Sequence, residues 1–378
     1  MNTRNRFLQT LGFGQPDLVP FEPGGGRKST RARWHAEGLP AEVDDGGAIT
    51  EYAYRLCGGT RAWPRGGEGF WTNDRMIPAF EEKVLEVKAG SQIVQDWKGN
   101  VCEIGKEYTV EYLRNAIDFV TRKWIKCPVE NRADWESMKR RYDSEDPARL
   151  PADAAALGHR LAARTWPIEI HFSGPFWQMR EWLGFENLCM AFYDDPDLVR
   201  AMVAFWTDHV DRLLERTFAC MVPDMVHLSE DMAYKRFAMI SPAMTREFLL
   251  PAYRRWGERI RVAGCPLYAM DSDGYIGELI PIWLEAGINV CDPIEVAAGN
   301  DIVAFRRDFG KAMAYRGGID KRAIAKGGDV LAAEIRRVTP VIESGGFIPG
   351  CDHAIPADVS WANFVEYVRL LARATGWL

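Results

Sequence analysis

From Pro167 to the C-terminus the chain repeats one pattern: a short apolar run, a polar or glycine-rich turn, then a longer amphipathic stretch. The apolar runs are residues 167–172, 225–228, 266–270, 288–291, 312–316 and 347–348. The stretches that follow, such as 196–218, 242–263, 275–286, 300–309 and 330–344, have helical length and spacing, and 361–373 ends the chain as a further helix. Alternation this strict requires parallel strands joined by helical crossovers, with each strand buried on both faces. The fold class expected is therefore α/β, a (β/α)8 TIM barrel. An open doubly wound sheet is the alternative. No GxGxxG follows any strand, which counts against the dinucleotide-binding form of that sheet.

The N-terminal part is less regular. Residues 1–16 read as a polar helix on the outside of the fold and 18–22 as a short strand. That strand runs into Gly24, Gly25 and Gly26, followed by Arg27, Lys28, Arg31 and Arg33. A glycine loop before cations can hold an anion, but the GxxxxGK[ST] spacing is missing. With 18–22 the count is seven strands, and the eighth is expected somewhere between the insertion and Trp166, with no run that marks its place. Residues 38–106 are expected to form an insertion or cap of irregular and antiparallel β structure. Within them, 83–87, 93–97 and 101–103 are separated by the turn residues Ala89, Gly90, Ser91 and Lys98, Gly99, Asn100. Residues 133–142 read as an amphipathic helix. The whole chain, 1–378, fits one barrel domain carrying that insertion.

Charge and hydropathy exclude several classes of partner. The net charge is -6 and no basic run is present, so no nucleic acid partner is expected. No apolar window approaches a membrane span, and residues 1–14 contain no signal-like segment. The eight cysteines are scattered without CxxC spacing, as reduced thiols of a cytoplasmic protein would be.

The apolar runs end in polar residues: His171 with Ser173, Glu230 with Asp231, Asp271 with Asp273, then Asp292, Asp320 and Cys351–Asp352–His353. In a parallel barrel these ends share one rim, where residues distant in sequence meet. Asp320 reads as a helix cap. Asp271 and Asp273, before Gly274, fit either a cap and turn or two carboxylates on one side of a strand end. With Glu230 they would form a cluster of negative charge that a cation or raised pKa values must relieve. Cys351 and His353 also alternate by two. Cys, His and Asp together suit zinc, although a buried thiol beside a capping imidazole has the same sequence.

The stretches Ser229–Glu230–Asp231–Met232–Ala233–Tyr234–Lys235, Asp271–Ser272–Asp273–Gly274, Gly317–Gly318–Ile319–Asp320 and Cys351–Asp352–His353–Ala354–Ile355–Pro356 resemble the uroporphyrinogen decarboxylase superfamily. Arg33–Trp34–His35–Ala36–Glu37–Gly38–Leu39–Pro40 resembles its less characterised branch, related to zinc-dependent corrinoid methyltransferases. The resemblance implies a (β/α)8 barrel and an enzyme of one of two chemistries. One is cofactor-free decarboxylation of a porphyrinogen, for which the N-terminal arginine motif is not reproduced around Arg27. The other is zinc-assisted methyl transfer with a corrinoid. There Asp271 and Asp273 stand where the family has His and Cys, and His353 lies near the family's final Cys.

The function expected is the methyltransferase component of a corrinoid-dependent demethylation system. It would move a methyl group from a small methoxy, methylamine or methylthio substrate, aromatic or not, to a corrinoid on a separate carrier protein. Asp271, Asp273, His353 and Glu230 are the catalytic candidates. Asp273, Cys351, His353 and Glu230 are the zinc ligands expected, and His171, Trp177, Arg180 and Tyr268 the substrate-binding wall. A homodimer is compatible with the sequence. A carboxy-lyase acting on a small or aromatic acid, and a non-catalytic binding barrel, are the alternatives.

Overall fold

The computed structural model describes residues 1–64, 66–115, 118 and 120–378. Four strands, β1 (Lys83–Val87), β2 (Ser91–Gln95), β3 (Val101–Gly105) and β4 (Arg122–Lys126), form an antiparallel meander in the order β1-β2-β3-β4. The turn residues at 88–90 and 96–100 set the first two hairpins; β4 extends the excursion past the expected boundary at 106. The meander has a small core of its own, Val94, Cys102, Ile104 and Leu113. Residues 38–82 do not belong to it. Leu39, Ile49, Ala53, Tyr54, Phe70 and Met76 lie in the main core, and Tyr52, on the helix Gly46–Leu56, stacks on Trp361. The excursion is therefore narrower at its start and longer at its end than 38–106.

Six further strands run parallel, each paired with the next: β5 (Glu169–Ser173), β6 (Met225–Ser229), β7 (Leu267–Asp271), β8 (Val290–Asp292), β9 (Ala314–Ile319) and β10 (Phe347–Cys351). Helices cross over between them, as the alternation predicts. The longest, Pro196–Cys220, buries Leu198, Val199, Met202, Trp206, Val210 and Leu213 on one stripe against the sheet. Asp320 caps Lys321–Lys326 by accepting the Arg322 N–H, the role expected of it.

The sheet curls into a barrel. Arg316 of β9 bonds Glu169 of β5 at 2.9 Å. In a flat sheet these strands, four spacings apart, would be about 19 Å from each other. An arginine spans that gap only if the sheet closes round a common bore. Two irregular segments flank its edges. Residues 18–26 run beside β10, where Pro23 O accepts the Cys351 N–H and Gly26 bridges Ile355. At the β5 edge the Asp74 carboxylate accepts the Ser173 N–H at 2.7 Å, where a neighbouring strand would otherwise pair. The stretch expected to be a first strand at 18–22 thus occupies a strand's place without forming a regular ladder. The free edge of β5 is met by residues near 74, before the meander, not by a strand between the insertion and Trp166.

The N-terminal helix Thr3–Leu11 does not lie outside the fold. Its Phe7 and Leu11 pack with Met225, Leu267, Ala269, Val290, Ala314 and Ile348, the inward residues at the lower ends of the strands. This apolar layer plugs the bottom of the bore. Glu169 and Arg316 stand in register with Met225 and Ile348 of this layer, while His171, Asp271 and Asp292 lie nearer the C-terminal strand ends. Among the described residues, no helix is long and apolar enough to cross a membrane.

Candidate active site

On β5, Ile170 and Phe172 are buried in the outer core, so Glu169 and His171 face the bore. His227 of β6 is level with His171, and the two Nδ1 atoms are 2.8 Å apart. His227 Nε2 lies 3.0 Å from Asp292 Oδ1 of β8. Arg316 reaches Glu169 at 2.9 Å, Glu22 at 3.1 Å and Asp292 at 3.9 Å. Burial pushes the His227 imidazole down, but the charge and hydrogen bond of Asp292 outweigh it and hold it above its ordinary value. The walls of the bore desolvate His171 and, with the neighbouring His227, push it down, although its side chain stays open to solvent on one side. Burial would raise the Asp292 carboxyl, yet His227 and Arg316 hold it below the usual carboxylate range. The proton assignment that fits is an imidazolium at His227, donating to Asp292 and to a neutral His171.

Above this layer, Asp271 ends β7 level with Ser229 and Asp292. Burial first, then the Asp292 charge, pushes its carboxyl up to about 7, against the pull of His227. Two residues on, Asp273 lies 3.2 Å from His353 Nε2. The Ala354 N–H donates to His353 Nδ1 at 2.8 Å, so the Nε2 proton faces the carboxylate. The hydrogen bond to Asp273 raises the His353 pKa against the effect of burial. Asp273 lines a cleft of about 460 Å³ together with Asp231, Tyr234, Lys235, Met239 and Glu295. Asp231 is held by Arg180 at 3.0 Å and Glu295 by Lys321 at 3.1 Å. Asp231 follows β6 at φ 43° and Ile294 follows β8 at φ 59°. A non-glycine residue there carries about 1–3 kcal/mol of strain, tolerated where the surroundings over-determine the backbone.

The structure brings Asp273 and His353 together, with Asp271 close below them, and leaves the other candidates elsewhere. Glu230 is fully buried behind β6 and accepts from Tyr253 Oη, the Phe176 N–H and the Trp177 N–H. It fastens the start of the helix Pro175–Leu183 and offers nothing to a metal or substrate. Cys351 also points outward into the main core, against Gly24, and burial pushes its thiol well above the ordinary value. The pairing of Cys351 and His353 on one side fails because the chain turns after β10. The Tyr268 side chain is buried in the outer core with its hydroxyl on Tyr253 O. Trp177 and Arg180 stack at 4.4 Å and stand behind Asp231, and His171 lies below in the bore, so none of the four expected wall residues lines the cleft.

Glu169, His227 and Arg316 are the site residues that strand reading misses. Each looks like an ordinary member of a strand. Their signal is a charged or imidazole residue at an inward position of a strand buried on its other face, visible only once the register between strands is known.

The packing around Glu230 gives a direct test of its structural role. A Cβ at Gly174 would lie 2.1 Å from Glu230 Cδ. Gly174→Ala is expected to cost about 1–3 kcal/mol in urea denaturation, as overpacking of a filled site does. An unchanged midpoint would show that the glutamate is free to move.

Fold and site together define a (β/α)8 barrel with its polar groups gathered at the C-terminal ends of the strands. The chain belongs to the uroporphyrinogen decarboxylase (URO-D) family, whose family model matches residues 113–373. No curated protein matches the sequence. Among solved structures, a methyltransferase from Methanosarcina mazei is similar at 12% identity and TM-score 0.57, over 100% of this chain and 98% of that one. A B12-independent methionine synthase from Shewanella sp. W3-18-1, in complex with selenomethionine, aligns at 12% identity and TM-score 0.44, over 95% of this chain and 97% of that one.

The zinc set expected from the resemblance does not fit the side chains at those positions. Asp271 and Asp273 replace imidazole and thiol, Cys351 and Glu230 point away, and His353 is bonded to Asp273. Among the described residues, donor atoms of three His, Cys, Asp or Glu side chains converge within 4.8 Å at Glu169, His171 and His227 instead.

Proposed function

We propose that the protein is the substrate-side methyltransferase of a corrinoid-dependent demethylation system, acting on a small methoxy, methylamine or methylthio compound. The observation that carries this reading is the lining of the cleft. Asp231, Asp273 and Glu295 line it with Lys235, and each carboxylate is paired from behind, with Arg180, His353 and Lys321 in turn. Carboxylate oxygens on such a wall accept hydrogen bonds from neutral or cationic methyl donors. A volume of about 460 Å³ suits a small substrate. The Methanosarcina neighbour, itself a methyltransferase, shares the fold over the whole chain.

In this reading the donor lies with its heteroatom toward Asp271. The bond from methyl carbon to heteroatom breaks, the electron pair stays on the heteroatom, and Asp271 supplies the proton that neutralises it. The methyl group leaves to the corrinoid of a separate carrier protein approaching the open rim. The Asp273–His353 pair positions the donor and offers a route for the proton that recharges Asp271. The eight free cysteines suit a reducing, cytoplasmic setting for such chemistry.

The test mixes the protein with cob(I)alamin and a panel of methoxy, methylamine and methylthio donors. Growth of the methylcobalamin spectrum with one donor class supports the reading. A carboxy-lyase is the second reading, because Asp271 can protonate a carbanion as well as a heteroatom. Carbon dioxide release from a panel of small acids, without methyl transfer, would replace the first reading by the second. Neither product would leave a binding barrel.

A further inference from the structure

We infer that Glu169, His171 and His227 form a divalent metal site in the bore, built on β5 and β6, away from the strand ends where the family resemblance would place zinc. Their donor atoms already lie within 4.8 Å of one another. Two imidazoles and a carboxylate, with a fourth position left open, are the donor set of a catalytic zinc site. Imidazole donors favour zinc, cobalt or nickel over magnesium and calcium, which take oxygen alone.

The surroundings fix the ligands as metal sites require. Asp292 accepts from His227 Nε2 at 3.0 Å, which orients the ring and turns Nδ1 toward His171. A carboxylate behind a ligating histidine is the usual outer support of a metal site. Arg316 holds Glu169 from the far side of the bore at 2.9 Å. His171 is 58% exposed, so solvent or substrate can reach the open position from above. The bottom is closed by the apolar layer around Phe7 and Leu11. The two Nδ1 atoms lie 2.8 Å apart, and an ion would take the place of that contact. A metal there would offer a Lewis-acid position to the heteroatom of a ligand entering from the cleft. The inference does not rest on methyl transfer, because metal uptake is read without substrate.

The experiment strips the full-length protein with chelator and titrates it with cobalt(II), following the visible ligand-field bands, then displaces cobalt with zinc and counts bound metal by mass spectrometry. One tight equivalent is expected, displaced by zinc and not by magnesium. His171→Ala is expected to abolish the bands, and its exposed side chain makes it the variant that folds even if His227→Ala does not. Asp292→Asn is expected to weaken binding by about 10–100-fold. Asp273→Asn and Cys351→Ala are expected to keep the full equivalent. Wild-type protein that takes up neither cobalt nor zinc overturns the inference. So does a His171→Ala protein that binds as tightly as wild type, and so does loss of the site in Asp273→Asn alone.

Discussion

Arg316→Met is expected to remove about 3 kcal/mol of stability at pH 7, toward the low end for breaking a buried ion pair because the bore is open to water above. The guanidinium is the cation at the centre of the bore. It bonds Glu22 and Glu169 and lies 3.9 Å from Asp292. Methionine fills much of the volume and leaves these carboxylates facing one another, with His227 still on Asp292 and His171 4.0 Å from Glu169. The loss depends on pH in a definite direction. Asp292 is held below its ordinary value, so its contribution is complete above the unfolded pKa of about 3.9 and disappears as pH falls through the folded value. The difference between wild type and variant is therefore expected to be largest near neutrality and to shrink below pH 4. Urea denaturation at both pH values measures it. Arg316→Lys keeps the charge without the planar fork and is expected to recover only part of the loss. A variant within about 0.5 kcal/mol of wild type at pH 7 would mean that the bore cluster adds nothing to stability.

The outer architecture is legible in the sequence because it is local. Apolar runs of two to six residues alternating with helical stretches mark β5 to β10 to within about three residues, and the turn residues mark the first two hairpins of the meander. Asp271, Asp273 and His353 are legible for the same reason: they follow strands directly, and a barrel puts all such ends on one rim. What is not legible depends on contact between distant segments. Residues 18–26 and Asp74 edge the sheet through single bonds and leave no periodic trace. Phe7 and Leu11 look like the sparse apolar residues of a polar surface helix until the open bottom of the bore is known. Glu169 and Arg316 are 147 residues apart, and only closure of the sheet brings them together. Period-two alternation also misleads where backbone geometry changes. Cys351 and His353 are separated by two residues, yet β10 stops at Cys351 and the turn sends thiol and imidazole to different layers. A run of charge at a strand end likewise does not say which member faces in. At Ser229–Glu230–Asp231, Glu230 turns into the core to hold a helix start, while Asp231 reaches the cleft.

Asp271→Asn separates a chemical role for this carboxyl from a structural one, because the two roles predict opposite changes in stability. The substitution keeps the shape and removes the proton. If Asp271 protonates the leaving group, methyl transfer is expected to fall by about 10²–10⁴-fold, the usual contribution of a general acid. In the wild type the rate is expected to be level below about pH 7 and to fall roughly tenfold per pH unit above it, since burial holds the carboxyl near 7 and only its protonated form donates. The stability argument runs through the same group. A folded pKa raised above the unfolded value means that the folded state binds the extra proton between about pH 4 and pH 7. Wild-type stability therefore declines as pH rises through that window and stays low above it, where a buried carboxylate beside Asp292 must be charged. Asparagine has no proton to lose, so the variant escapes the decline. It is expected to be inactive yet more stable than wild type at pH 8, and much closer to it at pH 4. Thermal denaturation at the two pH values, run beside the transfer assay, reads both effects. A variant that loses stability at pH 8 along with activity would show that the charged carboxyl holds the bore together, and the proton donor would then have to be sought at His353.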